Sequence, residues 1–194
     1  MTQVSEKNLR GRPRSDQARQ AILKAFMASV KASGYSKLSI DQLSKQSGVS
    51  RSTIYRWYKE KVDIALDAAS EIAQNARLTP LSGNREADLQ QHFVHTFKTA
   101  NTLGQLFTAM MAEAQANAEF SDRVWHQFSS LRRDHLRRVL IQGAEASRPT
   151  DDDLELIMDM VFGALWYRMM SGHAPLDSKF SAALIEKIDQ LLKF

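Results

Sequence analysis

The chain has 194 residues, of which 43% are hydrophobic and 25% are charged, proportions typical of a globular protein. It contains no cysteine, which excludes disulfides, thiolate chemistry and cysteine-based zinc sites. The sequence has no N-terminal signal segment and no run of about 20 apolar residues, so we expect a soluble, cytoplasmic protein.

Charge is distributed unevenly along the chain. Residues 1–62 contain 13 Lys and Arg against 4 Asp and Glu, whereas residues 63–194 contain 13 against 18. A basic N-terminal part joined to an acidic remainder is typical of a protein that contacts a polyanion with one end only. From charge alone, a solvated basic segment without a partner is an equally good interpretation.

Apolar residues recur every three or four positions in successive segments, and no segment alternates with period two, which predicts an all-α fold of about nine helices. The predicted helices span residues 16–33, 40–47, 51–58, 61–77, 85–99, 102–117, 120–147, 151–172 and 178–193. We expect residues 1–14 to form a flexible basic arm. Residues 15–62 and 63–194 are then expected to form two domains.

Two short predicted helices joined by a tight turn follow the first helix. Ser39 and Gln42 have capping-box spacing, Gly48 suits a turn that needs positive φ, and Ser50 caps the next helix. This order is typical of a helix-turn-helix. With Ile54 on the buried face, the opposite face contains no acidic residue and many donors that suit phosphates and base edges. That outward face comprises Arg51, Ser52, Thr53, Tyr55, Arg56 and Lys59.

The chain resembles the N-terminal domain of TetR/AcrR-family regulators over roughly residues 15–70. The residues that carry the resemblance are Ile22–Phe26, Gly34-Tyr35, Leu38–Ser44 and Gly48–Lys61. The resemblance implies that the helix starting at Arg51 enters the major groove of operator DNA. It implies a dimeric transcription regulator, most often a repressor. Arg12 and Arg14 could reach a minor groove. The predicted DNA contacts are Ser39, Ser50, Arg51, Ser52, Thr53, Tyr55, Arg56, Trp57, Tyr58, Lys61, Arg12 and Arg14.

The predicted helix 151–172 is apolar nearly all round, which indicates burial on more than one side. Its own core can cover one side and a second subunit the other, although a buried helix of a monomer is an alternative. The resemblance implies a homodimer formed by the last two helices as a four-helix bundle. The predicted interface residues are Met158, Phe162, Leu165, Leu184, Ile188 and Leu191.

Any pocket for a small-molecule effector is expected among the helices of residues 85–172, since pockets between bundled helices are common. Apolar residues at helical spacing there can equally be plain core. The cluster of residues 132–138 is interpreted as a solvated helix face. The candidate pocket residues are Leu103, Phe107, Met110, Met111, Trp125, Phe128, His135 and Trp166.

No metal site or cofactor is predicted. The acidic run Asp151–Asp153 suits the dipole at a helix start, and His92 with His95 lacks a third ligand nearby in sequence. Signatures of nucleophile elbows, P-loops, dinucleotide folds and zinc proteases do not occur, so we expect no enzyme. A nucleoid-type, sequence-indifferent DNA binder is the alternative function, but basic charge would then be expected over the whole surface.

Overall fold

The structure is a computed structural model that describes residues 12–142 and 149–192, with side chains from Asp16 onward. All regular structure in these ranges is helical, which confirms the predicted all-α class. The chain divides into two compact units, Met1–Ile64 and Ala65–Phe194. No helix in the described ranges is long and apolar enough to cross a membrane.

The first unit contains α1 (Arg12–Ser33), α2 (Ile40–Ser47), α3 (Arg51–Trp57) and the start of α4 (Lys61–Leu78). Helix α1 begins at Arg12, inside the segment predicted to be an arm. The core of this unit is formed by one apolar residue or more from each of the first three helices. Fully buried members of this core are Ile22, Phe26, Leu43 and Ile54.

The second unit contains the rest of α4 and five further α-helices. These are α5 (Arg85–Ala116), α6 (Ala118–Val124), α7 (Ser130–Leu140), α8 (Asp151–Ser171) and α9 (Ser178–Leu191). A π-helical turn, Trp125–Ser129, joins α6 directly to α7. The largest core cluster combines residues of α5, α7, α8 and α9, among them Phe93, Leu136, Leu140, Leu154 and Met158.

The predicted break between helices 85–99 and 102–117 is wrong, because α5 runs through it without interruption. The Thr102 hydroxyl donates to the carbonyl of Lys98 at 2.8 Å, so this polar side chain is satisfied within the helix. Gly104 does not adopt positive φ. A Cβ built on Gly104 would lie 3.5 Å from Cγ of Met169, so this glycine marks where α5 and α8 pack closely.

The predicted helix 120–147 also differs from the structure. It starts earlier, at Ala118, where the side chain of Asn117 accepts a hydrogen bond from the Phe120 amide at 3.1 Å. The regular helix ends at Leu140. Residues 143–147 of the predicted helix lie outside the described residues.

Candidate nucleic-acid interface and ligand cavity

Short-range hydrogen bonds fix the helix-turn-helix. The Ser39 hydroxyl accepts from the Gln42 amide and the Gln42 side chain accepts from the Ser39 amide, both at 3.2 Å, which completes the predicted capping box. Gly48 has φ 69°, a left-handed conformation that ends α2. The Ser50 hydroxyl accepts from the Thr53 amide at 3.3 Å and starts α3. The turn between α2 and α3 is therefore determined by its own residues.

The outward face of α3 carries donors and an aromatic ring. Tyr55 is 50% exposed although it is a large side chain. Thr53 and Trp57 are half-buried at the edges of the face. The remaining predicted contacts on this surface, all exposed, are Ser39, Ser50, Arg51, Ser52 and Arg56. The side chains of Arg12 and Arg14 lie outside the described residues.

Asp41 of α2 is a neighbour of this face that the sequence interpretation missed. Its carboxylate lies 2.9 Å from Nε of Arg51. Both side chains are exposed, so the pair contributes little to stability. The contact places the carboxylate of Asp41 beside the guanidinium of Arg51 at the start of α3.

Tyr58 does not fit its predicted role as a DNA contact. The residue is 7% exposed and belongs to the core beneath α3. Its amide donates to the carbonyl of Ile54 at 2.9 Å and closes the helix. Because Ile54 and Tyr58 are four positions apart, both lie on the inner face. Tyr58 therefore supports α3 from inside.

Lys61 is engaged within the protein. Its ammonium group donates to the carbonyls of Tyr35 at 3.0 Å and Leu38 at 3.2 Å. It also lies 4.3 Å from the centre of the Tyr35 ring. Burial lowers the pKa of Lys61. The side chain that was predicted to contact phosphate therefore makes structural contacts that hold the connection between α1 and α2.

A cavity of about 180 Å³ lies in the second unit among α5, the π-turn, α7 and α8. Four predicted pocket residues line it: Phe107, Trp125, Phe128 and Trp166. The rings of Phe107 and Phe128 are stacked with centres 5.4 Å apart. The other lining residues are Thr96, Ala100, Ser129, Arg132, Arg133, Phe162, Leu165 and Met169.

The other four predicted pocket residues do not line this cavity. Leu103 and Met110 are core residues with 3% and 1% exposure, and Met111 is half-buried elsewhere on α5. His135 lines a smaller cavity of about 50 Å³. Helical spacing identified these residues as inward-facing. Helical spacing could not distinguish residues that line a cavity from residues of the solid core, because the position of the facing helices decides whether a space is left between them.

The smaller cavity contains a buried histidine pair. The rings of His92 and His135 are stacked with centres 5.2 Å apart. Within the described part of the chain, Nε2 of His92 and Nδ1 of His135 have no hydrogen-bond partner. Asp88, His95 and Arg132 line the same cavity. No group of three metal-ligating side chains occurs among the described residues.

Both histidines are held in the neutral form. Burial is the largest cause that lowers the pKa of His92 well below 6.5, and the charge of Arg132 adds to it. Burial also lowers the pKa of His135, with a further contribution from Arg138. For Asp88 burial opposes ionisation, but hydrogen bonds from Gln142 and Ser82 outweigh it and lower the pKa.

Acid should therefore destabilise the second unit near neutral pH. The unfolded chain binds protons at histidine below about pH 6.5, whereas the folded state resists them, so the free energy of unfolding falls as pH drops through that value. We expect the melting temperature to decrease between pH 7.5 and 5.5. His92→Phe should flatten this dependence, measured by circular dichroism. His126 is an exposed histidine on the π-turn. If His126→Gln flattened the pH dependence of the melting temperature as much as His92→Phe, the dependence would not come from the buried histidines.

Three of the six predicted dimer-interface residues are buried within a single subunit, and the other three are only partly exposed. Met158, Leu165 and Ile188 are 0%, 6% and 2% exposed and belong to the core of their own unit. Phe162 lines the larger cavity. Leu184 and Leu191 are half-buried against the same core. A helix that is apolar nearly all round has no periodic signal to show which side faces its own subunit.

The apolar face that α8 leaves exposed lies on its opposite side. Leu156, Met160, Tyr167 and Met170 are 60%, 51%, 66% and 64% exposed. Their spacing of four, seven and three positions puts them on one stripe, with Gly163 between them. We call these four residues the α8 stripe. An exposed apolar stripe of this length is typical of an interaction surface.

Comparison with known proteins agrees with this architecture. The family model for the N-terminal domain of bacterial regulatory proteins of the tetR family matches residues 22–68. The model for the tetracyclin repressor-like C-terminal domain matches residues 79–188. Together they cover more than half of the chain. The chain belongs to the TetR family of transcription regulators, with a DNA-binding N-terminal domain and a tetracyclin repressor-like C-terminal domain.

Individual relatives are distant. The HTH-type transcriptional regulator YdeS of Bacillus subtilis is 24% identical over 164 residues, covering 83% of this chain and 82% of YdeS. The TetR family regulator SCO0332 superposes with a TM-score of 0.72 at 25% identity, covering 89% of this chain and 97% of the other. RolR in complex with resorcinol superposes with a TM-score of 0.64 at 18% identity, covering 93% and 95%.

Proposed function

We propose that this chain is a repressor that binds a pseudo-palindromic operator as a homodimer and is released by a small-molecule effector. The observation that supports operator reading most directly is the outward face of α3, which exposes Arg51, Tyr55 and Arg56 and has no acidic residue of its own. Arginine and hydroxyl donors suit guanine edges and phosphates. Two copies related by a two-fold axis would meet successive major grooves ~34–36 Å apart.

The second copy is proposed to pack on the α8 stripe. This surface is apolar, exposed and located on one of the two helices that the family resemblance implicates in dimer formation. A two-fold interface uses the same patch on both subunits, so the stripe would pack against itself or its surroundings. Gly163 within the stripe would allow the two helices to approach closely.

The effector is proposed to occupy the larger cavity. RolR, which shares the fold, is known in complex with the small aromatic resorcinol. Helix α7 lines the cavity and also bonds to α4, because the Arg138 side chain donates to the carbonyl of Arg77. Residues of α4 belong to both units. A ligand that favours one position of α7 can thereby change the fraction of dimers competent for DNA.

Mapping of binding sites on genomic fragments tests the proposal against its alternative. A repressor protects discrete pseudo-palindromes, whereas a nucleoid-type protein covers fragments uniformly. The acidic charge of residues 63–194 favours the former. Transcription in vitro from a promoter that contains such a site should fall when the protein is added. Uniform protection, or activation of transcription, would contradict the proposal.

Salt should weaken operator binding steeply. The logarithm of the association constant should fall against the logarithm of salt concentration with a slope of about −0.9 per phosphate neutralised. Lys59 is exposed beyond the end of α3, and Lys59→Ala should make that slope less steep by about one. Lys61→Ala is the matched comparison.

For Lys61→Ala we expect a lower melting temperature and an unchanged slope, because its ammonium group is bound to the carbonyls of Tyr35 and Leu38. Fluorescence anisotropy of labelled operator gives the slopes. If Lys61→Ala changed the slope by one without loss of stability, the side chain would contact phosphate after all.

A further inference from the structure

Arg132 is a cation without a carboxylate partner on the wall of the larger cavity. Its guanidinium donates to the hydroxyl of Thr96 at 3.0 Å and lies 5.6 Å from the ring centre of Phe128 and 5.7 Å from that of Phe162. In the ranges that the structure describes, no Asp or Glu pairs with it.

Two neighbouring arginines of α7 are neutralised. Arg133 pairs with Glu155 and with Asp159 at 2.7 Å. Arg137 pairs with Glu155 and with Asp151 at 2.7 Å. The carboxylates of α8 thus neutralise Arg133 and Arg137, whereas Arg132, which lines the aromatic cavity beside Arg133, has no carboxylate partner among the described residues. Arg132 is also half-buried, so water compensates its charge only in part.

Arg132 is charged under physiological conditions. Burial lowers its pKa to about 10, which still lies well above neutral pH. A half-buried guanidinium without a counter-ion costs free energy, and a bound anion offsets this cost through charge-assisted hydrogen bonds. The polar feature that distinguishes this cavity is therefore a fixed positive charge.

Size and wall chemistry restrict the rest of the ligand. An engineered apolar cavity of about 150 Å³ binds benzene, so the cavity of about 180 Å³ suits one aromatic ring with a small substituent. Five aromatic side chains line it: Phe107, Trp125, Phe128, Phe162 and Trp166. Flat rings with offset or edge contacts pack well against another ring.

The π-turn provides independent support for a binding role. Trp125–Ser129 interrupts the helix directly at the cavity, where Trp125, Phe128 and Ser129 form part of the wall. Single π-helical turns within α-helices are frequent at functional sites. Arg132 follows one turn later, so the unusual backbone and the unpaired charge belong to one surface.

We propose that the ligand of this cavity is a small aromatic monocarboxylate of about the size of benzoate, with its ring among the aromatic walls and its carboxylate paired to Arg132. This proposal rests on the effector site of the proposed function and names its chemical class. It distinguishes this cavity from one built for a neutral phenol, a quaternary ammonium ion or a long acyl chain.

Direct binding to the full-length protein without DNA tests the ligand class. Trp125 and Trp166 line the cavity, so their fluorescence should report occupancy, and calorimetry should confirm it. Benzoate should bind at least ten-fold more tightly than benzamide, its neutral analogue, and more tightly than choline or hexanoate. Equal or tighter binding of benzamide, choline or hexanoate would overturn the proposal, as would no binding of benzoate.

Arginine variants test the role of Arg132. Arg132→Gln should remove the preference for benzoate over benzamide, and Arg132→Lys should retain part of it. Arg137→Gln is the matched control on the same helix and should keep the wild-type preference. A preference that survives in folded Arg132→Gln would overturn the assignment. Should benzoate bind as expected but leave operator binding unchanged, the release step of the proposed function fails and the ligand class stands.

Discussion

Met160→Arg is expected to convert dimers into monomers and to weaken binding to the full operator by about 100-fold or more. Met160 is 51% exposed at the centre of the α8 stripe. A dimer packed on this stripe would have to bury the new charge without a partner, which is strongly unfavourable. Loss of the second recognition helix removes an avidity gain of roughly 10²–10⁴. Sedimentation and gel shift on the same preparations measure both effects.

Val94→Arg is the matched control for this change. Val94 is also apolar and 57% exposed, but it lies on α5 and does not belong to the α8 stripe. It should leave both the sedimentation coefficient and operator affinity unchanged. A Met160→Arg protein that stays dimeric would show that the interface uses another surface. A wild-type monomer that binds its full operator tightly would contradict the dimer altogether.

Replacement of Tyr58 by alanine should mainly reduce stability, whereas replacement of Tyr55 by alanine should mainly reduce specific DNA binding. Tyr58→Ala should lower the free energy of unfolding of the first unit by about 3–5 kcal/mol, because it removes a buried aromatic ring. Tyr55→Ala removes an exposed ring and should change stability by less than about 0.5 kcal/mol. It should nevertheless weaken specific DNA binding by roughly 1–3 kcal/mol. Urea denaturation measures the change in stability of each variant. Fluorescence anisotropy with operator and with random DNA measures the change in specific binding.

Tyr58→Phe is the control that keeps the buried ring. It should retain most of the stability that Tyr58→Ala loses, since only the hydroxyl is removed. If Tyr55→Ala lowered stability as much as Tyr58→Ala, the orientation of α3 would be wrong. If Tyr55→Ala weakened operator and random DNA equally, its ring would contact the backbone rather than bases.

Local features of the fold could be predicted because neighbouring residues determine them. The capping box of Ser39, the left-handed Gly48 and the cap of Ser50 each need only a few adjacent residues, and all three are present as expected. Their spacing also gave the family. Continuity of α5 through Thr102 and Gly104 could not be predicted, because those residues favour a break unless packing against α8 offsets it.

The contacts of Arg132 and Lys61 could not be predicted from the sequence, because both depend on residues distant in the chain. Arg132 lies four positions after Phe128 and seven after Trp125, so it continues the cavity-lining stripe, which was the available signal. The high charge of residues 132–138 instead suggested a solvated face. That Arg133 and Arg137 are paired while Arg132 is not depends on the position of the α8 carboxylates. The carbonyls of Leu38 and Tyr35, which accept hydrogen bonds from Lys61, likewise lie 23 and 26 positions earlier in the sequence.

The sequence by itself determined the helix-turn-helix, the basic N-terminal part and the all-α class, because capping, periodicity and charge are local properties. Only the tertiary structure decided which face of α8 is buried, which aromatic residues border a cavity and which cavity-lining arginine has no carboxylate partner among the described residues. Helix α8 is apolar on nearly every side, so its periodicity fits either orientation equally well. Packing against α5, α7 and α9 selects one side for the core, and that choice leaves the α8 stripe exposed.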